Sequence, residues 1–475
     1  MLRPLFFSAI LVAISGCGAQ EVKQLDAALL EAQFRARSLS DPGLARFLKE
    51  NLPAGVSAAP ETPWNLHSLT LAAFYFHPDL EVSRARLEKI YAGETTAGAW
   101  PNPVVSAGLD YNFDIPRGTS PWTAIADLSL PIDIGGRRQH RISRAQYLSA
   151  AVWRELEETA WRTRSRLRRS LVEHLLASSR LEALRSEEGA RRELVTLFDQ
   201  RLEAGAASAT ETGAARIDLA RVAMSRLAAE ARLAGTLAGL AAAIGVPAAA
   251  LRAVRLGWPE IERLPAEESL ALPAVQRAGL LNRFDILKLL SEYQAADASL
   301  RLEMAKRFPE ISLGPGYTFE EGENKFTFGL SMTLPIFNRN GGPIAEAAAQ
   351  RKEAAARFLA LQARAINDLE AALSSYRSAL QELAESARLA ALAGTLEKNV
   401  RRGLELGQND RLEVAESSAQ SAMARRAWTE ALLKSQLALG ALEDELQQPL
   451  DPSAILPPVT STNPRDLTRK TSPHE

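Results

Sequence analysis

An internal duplication limits what this chain can fold into more than any other feature of its 475 residues. Asp79, Pro103, Ser106, Gly108 and Tyr111 recur as Asp285, Pro309, Ser312, Gly314 and Tyr317, each 206 positions later. Leu130-Pro131-Ile132 and Gln146 return as Leu334-Pro335-Ile336 and Gln350 at a spacing of 204. Leu202-Glu203-x-Gly205 with Glu211 returns as Leu404-Glu405-x-Gly407 with Glu413 at a spacing of 202, and Pro247 matches Pro449. Three such sets in order make the chain two copies of one structural unit. The spacing shrinks twice, by two residues each time, which small loop deletions would explain.

Each copy has the same grammar. A helical stretch, about Leu69 to Ala99 and Leu272 to Lys306, precedes two segments of alternating polarity and a Leu-Pro-Ile stop. An unusually long helical stretch follows, Arg141 to about Leu202 and Ala345 to about Leu406, in a chain rich in Ala, Leu, Arg and Glu. About 60 helical residues at 1.5 Å each reach roughly 90 Å, deeper than any globular core, so these helices must pack as coiled coils. Gly205 and Gly407 supply C-caps at the far ends. Ser208-x-x-Glu211, a capping box, and Asp410-x-x-Glu413, a close variant, then restart the chain toward about Ile244 and Glu445. Each copy becomes a helical hairpin whose tip lies far from its strands.

The alternating segments predict those strands. Phe326, Phe328, Leu330, Met332 and Leu334 share one face, against Thr327, Gly329, Ser331 and Thr333. In the first copy, Val105, Ala107, Leu109 and Tyr111 oppose Ser106, Gly108 and Asp110. Its return strand sets Ala124, Ala126, Leu128 and Leu130 against Thr123, Asp127 and Ser129. A tilted transmembrane strand needs about nine to eleven residues, and this pattern suits a barrel with a wet interior. Half-buried hairpins in a soluble α+β domain would alternate too. The N-terminus decides between them: Arg3 and the apolar run Leu5 to Ile14 form an export signal too short to span a bilayer. It ends in Ile14-Ser15-Gly16-Cys17, which resembles the lipobox of bacterial lipoproteins, with Cys17 as the lipidated residue. Gly18 follows, not the Asp that marks inner-membrane retention, so an outer-membrane anchor is expected. After the signal no apolar stretch of transmembrane-helix length is evident, so strands must make any crossing. Four strands cannot close a barrel, and unpaired edges in lipid cost several kcal/mol per group. Several chains must therefore share one barrel, in a number that the physics leaves open.

Other chemistry finds no footing. Lys+Arg (56) balance Asp+Glu (57), so nothing attracts nucleic acid. Cys17 is the only cysteine, which excludes a disulfide within the chain. His67, His77, His140, His174 and His474 show no metal-ligand spacing, and no hydrolase or phosphate-loop motif occurs. Gly135-Gly136 and Gly341-Gly342 lie between strand and helix and read as turns at a barrel rim. We expect no enzyme, no cofactor and no metal site.

These residues resemble the TolC-like outer membrane efflux proteins, from about Asn65 to Pro449. The match rests on the duplication, on Leu334-Pro335-Ile336-Phe337-Asn338-Arg339 before Gly341-Gly342, and on the Gly407…Asp410-x-x-Glu413 tip. Pro101-Asn102-Pro103 and Leu130-Pro131-Ile132-Asp133-x-Gly135-Gly136-Arg137-Arg138 look most like its CzcC/CusC heavy-metal branch. The resemblance implies a mostly α fold with a membrane β-barrel portion: a homotrimer with a 12-stranded barrel and a long α-helical periplasmic tunnel. It divides the chain into a signal peptide (1–16), a lipidated segment (17–63), two repeats (64–259 and 260–449) and a flexible tail (450–475). It further implies a passive duct in the outer membrane, served by a periplasmic adaptor and an inner-membrane RND-type pump and carrying heavy-metal cations. A multidrug or type I secretion duct is the alternative within the family, and a periplasmic coiled-coil adaptor lipoprotein the alternative outside it. Glu413 and Glu416, six and nine positions after Gly407, match acidic residues at the periplasmic mouth, and Glu211 matches a residue of the closing latch. The latch's usual partners are replaced by Leu404 and Asn409, with Arg401, Arg402 and Arg411 as candidate substitutes.

Overall fold

The computed structural model describes residues 24–51, 63–114, 116, 118–266, 270 and 273–450. The expected signal peptide, Cys17 and residues 451–475 of the expected tail lie outside them. Strands β1 (Val104–Tyr111), β2 (Trp122–Ile132), β3 (Ile311–Glu320) and β4 (Glu323–Met332) form one antiparallel sheet in chain order. Its register sorts side chains by polarity. One row across the sheet reads Ala107, Ala126, Tyr317, Phe326, and the next reads Ser106, Asp127, Gly316, Thr327. Because successive side chains alternate in direction, each strand contributes its apolar set to one face and its small polar set to the other. The apolar face is bare: Phe326 and Phe328 are 85% and 73% exposed. Pro315 lacks an N–H, and the β2–β3 ladder skips from Asp127–Gly316 to Leu130–Leu313 there. The Leu128 carbonyl comes so close at that gap that a Cβ on Gly314 would sit 1.4 Å from its oxygen. Pro131 lies inside β2, not at a stop; β1 ends opposite Ser129, so its missing N–H breaks no bond to β1.

Ten helices are described: α1 (Ala27–Ala36), α2 (Pro42–Asn51), α3 (Leu66–Phe76), α4 (Pro78–Gly98), α5 (Arg137–Glu203), α6 (Ala209–Ile244), α7 (Pro273–Asn282), α8 (Phe284–Ala305), α9 (Gly341–Glu405) and α10 (Arg411–Leu446). Four expectations need correction. The stretch Leu69 to Ala99 is two helices, because Pro78 forces His77 out of the α region (ψ 123°) and its ring accepts the Asp79 N–H instead. The stretch Leu272 to Lys306 likewise breaks at Arg283, whose guanidinium binds Asp285 and Glu445. The second two-residue deletion falls inside a helix, since α5 and α9 begin 204 apart and end 202 apart, at 67 and 65 residues. Finally, α6 does contain an 18-residue window apolar enough to cross a membrane, with mean hydropathy 1.4 and only 28% of it buried. Alanine and leucine on two faces raise that average, and only one face meets α5.

Segment 35–63, unpatterned in sequence, contains α2, which buries Leu44 and Leu48 against α3. Just before it, Arg37 donates to the carbonyls of Phe76 and Gly245, both at 2.9 Å, clasping α3 to the end of α6. The long helices form a layer. On the sheet side its order is α4, α5, α8, α9; toward the tips it is α6, α5, α10, α9. The principal core joins α3, α5 and α6 through Leu69, Phe74, Leu167, Leu171, Leu240 and Ile244. A second core, Leu369, Tyr376, Leu439, Leu442 and Leu446, joins α9 to α10. Among the described residues α4, α6 and α9 have one flank without a helix, as β1 and β4 have one edge without a strand.

Candidate gate at the hairpin tips

Both hairpins turn in the same way. Gly205 and Gly407 each sit at φ +71°, a conformation that costs glycine little. The next residues donate back into the ending helix, Ala206 N to the Arg201 carbonyl at 2.7 Å and Gln408 N to the Gly403 carbonyl at 2.8 Å. Reciprocal capping boxes then open α6 and α10. Ser208 Oγ accepts from Glu211 N, and Glu211 accepts from Ser208 N. Asp410 accepts from Glu413 N, while Glu413 accepts from Asp410 N and from the Asn409 amide. Two of the three acidic candidates therefore have a local task. The Ser208 N–H and hydroxyl hold the Glu211 carboxyl below the usual carboxylate range. Asp410 is held low by the Glu413 N–H and, against some desolvation, by Arg201.

Glu416 is different. It is exposed and has no hydrogen-bond or ion-pair partner among the described residues. The structure brings it together with Glu211 in a groove that Glu413 does not line. The groove, of about 460 Å³, is floored by Arg191, Leu194 and Phe198 of α5, with Asp218 on the α6 wall and Gln420 on the α10 wall. Asp218 pairs with Arg191 at 2.9 Å, so three carboxylates and one guanidinium line the groove, with a second guanidinium, Arg221, on Asp218 at 3.5 Å outside it. A groove of this balance favours cations. The three candidate latch arginines stand elsewhere: Arg401 pairs with Glu397 at 2.9 Å and Arg411 with Glu193 at 3.3 Å. Arg402 joins Lys398, Arg401 and Arg425 along a second groove, between α9 and α10, where only Glu397 and Glu405 oppose them. Within one chain none of the three meets Glu211.

A cluster that the sequence did not single out locks the two repeats together. Arg164 and Arg168 on α5, both almost fully buried, reach Glu443 on α10 at 3.4 and 3.2 Å. Arg168 also donates to the backbone and side-chain oxygens of Gln436, each at 2.8 Å. Asp444 accepts from Trp161 Nε1 and Ser165 Oγ; burial pushes its carboxyl up, against the pull of those two bonds. Four charges in a helix seam are invisible in a chain where a quarter of residues are charged.

The family described as outer membrane efflux protein matches residues 74–246 and 276–445, once in each repeat. The cobalt-zinc-cadmium resistance protein CzcC of Cupriavidus metallidurans is 23% identical over 356 residues, covering 73% of this chain and 81% of that protein. Among solved structures, the CusC channel superposes with a TM-score of 0.64 at 18% identity, covering 82% of this chain and 95% of that one. The outer membrane protein VceC of Vibrio cholerae gives 0.64 at 18% identity, covering 81% and 97%. The fold shared with these structures is a helical tunnel joined to a barrel sheet.

Proposed function

Because this chain belongs to the outer membrane efflux protein family, an efflux channel and not an enzyme, we propose that three copies close into one duct that passes heavy-metal cations from periplasm to exterior. One observation carries this reading: a four-stranded sheet with a bare apolar face and two unpaired edges crowns helices 67 and 65 residues long. In lipid those edges need partners, and β4 of one copy can find them only on β1 of the next. The contact is head-to-tail, so it must run round a closed ring. Three copies pool twelve strands, as the family resemblance implies. Gly205 and Gly407 then lie about 100 Å from the sheet by helical rise, within reach of a periplasmic adaptor and an RND-type pump. The acidic groove of Glu211, Asp218 and Glu416, repeated in each copy, supports cations as cargo, as does the likeness to CzcC. Glu413 and Glu416 stand at the mouth and Glu211 at its rim, while lipid on Cys17 tethers the segment 17–63 to the outer membrane. The repeats span 64–259 and 260–449, between a cleaved signal at 1–16 and a tail at 450–475.

The test is deletion of the gene followed by exposure to cobalt, zinc and cadmium salts and to a panel of dyes and antibiotics. Metal sensitivity should rise at least several-fold and be restored by the intact chain. Sensitivity to dyes and antibiotics alone would refute the cargo. A mature protein extracted by carbonate, or monomeric in detergent, would refute the duct. Palmitate labelling that survives Cys17→Ser would refute the anchor.

A further inference from the structure

The duplication predicts how one copy meets the next. Within the chain, α5 packs against α10. Carried one repeat forward, that contact becomes α9 against α6 of the neighbouring copy, the two flanks left bare toward the tips. At the tips Leu202/Leu404, Gly205/Gly407 and Glu211/Glu413 fix an offset of 202, and counting back from those turns along α5 and α9 gives each α5–α10 contact a counterpart. Glu187–Arg426, an ion pair at 3.6 Å, maps onto Leu389 and Met224. Leu194, packed on Ala415 and Ala419, maps onto Leu396 facing Gly213 and Ile217. The Arg201–Asp410 pair maps onto Gly403 and Ser208.

Exposure gives independent support. Leu389 and Leu396 are 52% and 47% exposed, and Met224 and Ile217 are 71% and 56% exposed. Their counterparts Glu187 and Leu194 are buried at 2% and 6%. The mapping also fixes their height. Met224 lies 19 positions after Gly205 and Leu389 18 before Gly407; Ile217 lies 12 after and Leu396 11 before. At 1.5 Å per residue each pair stands level to within about 2 Å.

We infer that a second copy of this chain covers these side chains, and that the seam between copies is apolar at Met224 and Leu389, where the equivalent seam inside each copy is the Glu187–Arg426 ion pair. Met224 meets Leu389 of the next copy, and Ile217 meets its Leu396. The inference rests on the ring proposed above. The consequence is a tip whose inter-copy contacts do not loosen as salt rises, whereas the partly exposed pairs inside each copy do.

Disulfide trapping tests the seam. Full-length protein in detergent carrying Met224→Cys with Leu389→Cys, or Ile217→Cys with Leu396→Cys, is oxidised and run on a denaturing gel without reductant. Both pairs should give covalent dimers and trimers that collapse on reduction. Glu187→Cys with Arg426→Cys should close within the monomer. The displaced pair Ile217→Cys with Leu389→Cys, two helical turns out of level, and each single variant should give no ladder. Native mass of three chains without a ladder from either level pair, or with one from the displaced pair, overturns the seam and leaves the ring standing. A native mass of one chain overturns the ring itself.

Discussion

Helices α5 and α9 occupy the same place in the two repeats and differ by two residues in length, yet α5 buries twenty residues and α9 six. Position in the layer accounts for the gap. α5 lies between α3, α4, α6, α8 and α10, while α9 leans on α8 and α10 and touches α7 lightly. The buried side of α5 then takes on chemistry that α9 lacks: two buried arginines, Arg164 and Arg168, answered by Glu443. On α10's repeat partner, α6, the residue equivalent to Glu443 is Ala241, buried and apolar. A duplicated sequence has thus diverged, so that α10 buries a carboxylate where α6 buries an alanine. Buried polar contacts of this kind can fix pairing at a cost in stability. Here that would direct α5 to its own α10 and not to a neighbour's.

The largest expected effect comes from breaking the inner seam. Glu443→Ala leaves Arg164 and Arg168 buried without their carboxylate, and should lower unfolding free energy by about 3–5 kcal/mol in urea titrations of the purified protein. A loss below about 1 kcal/mol would mean that the two helices do not differ in how they are anchored. Next, Leu171→Ala in the α5 core should cost about 2–5 kcal/mol, whereas Leu392→Ala on the bare side of α9 should stay within about 0.5 kcal/mol in isolated chains. Leu171 is 0% and Leu392 65% exposed, so equal effects would erase the contrast. Smaller still are the caps. Ser208→Ala and Asp410→Ala should each cost about 0.5–2 kcal/mol by losing an N-cap. Asp410→Ala should be the worse by about 0.2–1 kcal/mol, because it also frees the half-exposed Arg201.

Much of this was legible in the chain because it repeats with a definite period. The polar and apolar faces of β1, β2 and β4 follow from alternation, and the tip turns from glycine followed by a capping pair three residues apart. What escaped was whatever depends on a second element. Nothing in the order Arg164, Arg168 says that Glu443 will lie opposite, since periodicity names a face and not its partner. Helix α2 escaped because only Leu44 and Leu48 of its ten residues are buried. The breaks at His77 and Arg283 sit inside otherwise helical patterns, though Pro78 was a signal available for the first. At the tip, the resemblance singled out Glu413, Glu416 and Glu211 without their local partners. The capping boxes hold Glu413 and Glu211, and Glu416 lines a groove with Glu211.

Acid should separate the tips from the buried seam by sign, with the smallest effect of the set. Asp410 and Glu211 have carboxyls held below their free range, so what they contribute is present at neutral pH and lost as pH falls through that range. Asp444, pushed up by burial, behaves in the opposite way: its contribution is complete below the free range and lost as pH rises through its folded value. Hydrogen exchange from about pH 6 to about pH 3, corrected for intrinsic rates, would read both at once, because free carboxyls titrate within that interval. Protection should fall at the amides of Ser208, Glu211, Asp410 and Glu413, whose bonds end on the capping groups. Protection near Trp161 and Ser165 should hold or rise. Parallel loss at both places would mean that the acidic tips and the buried seam answer to one global opening, and that the difference between α5 and α9 is packing alone.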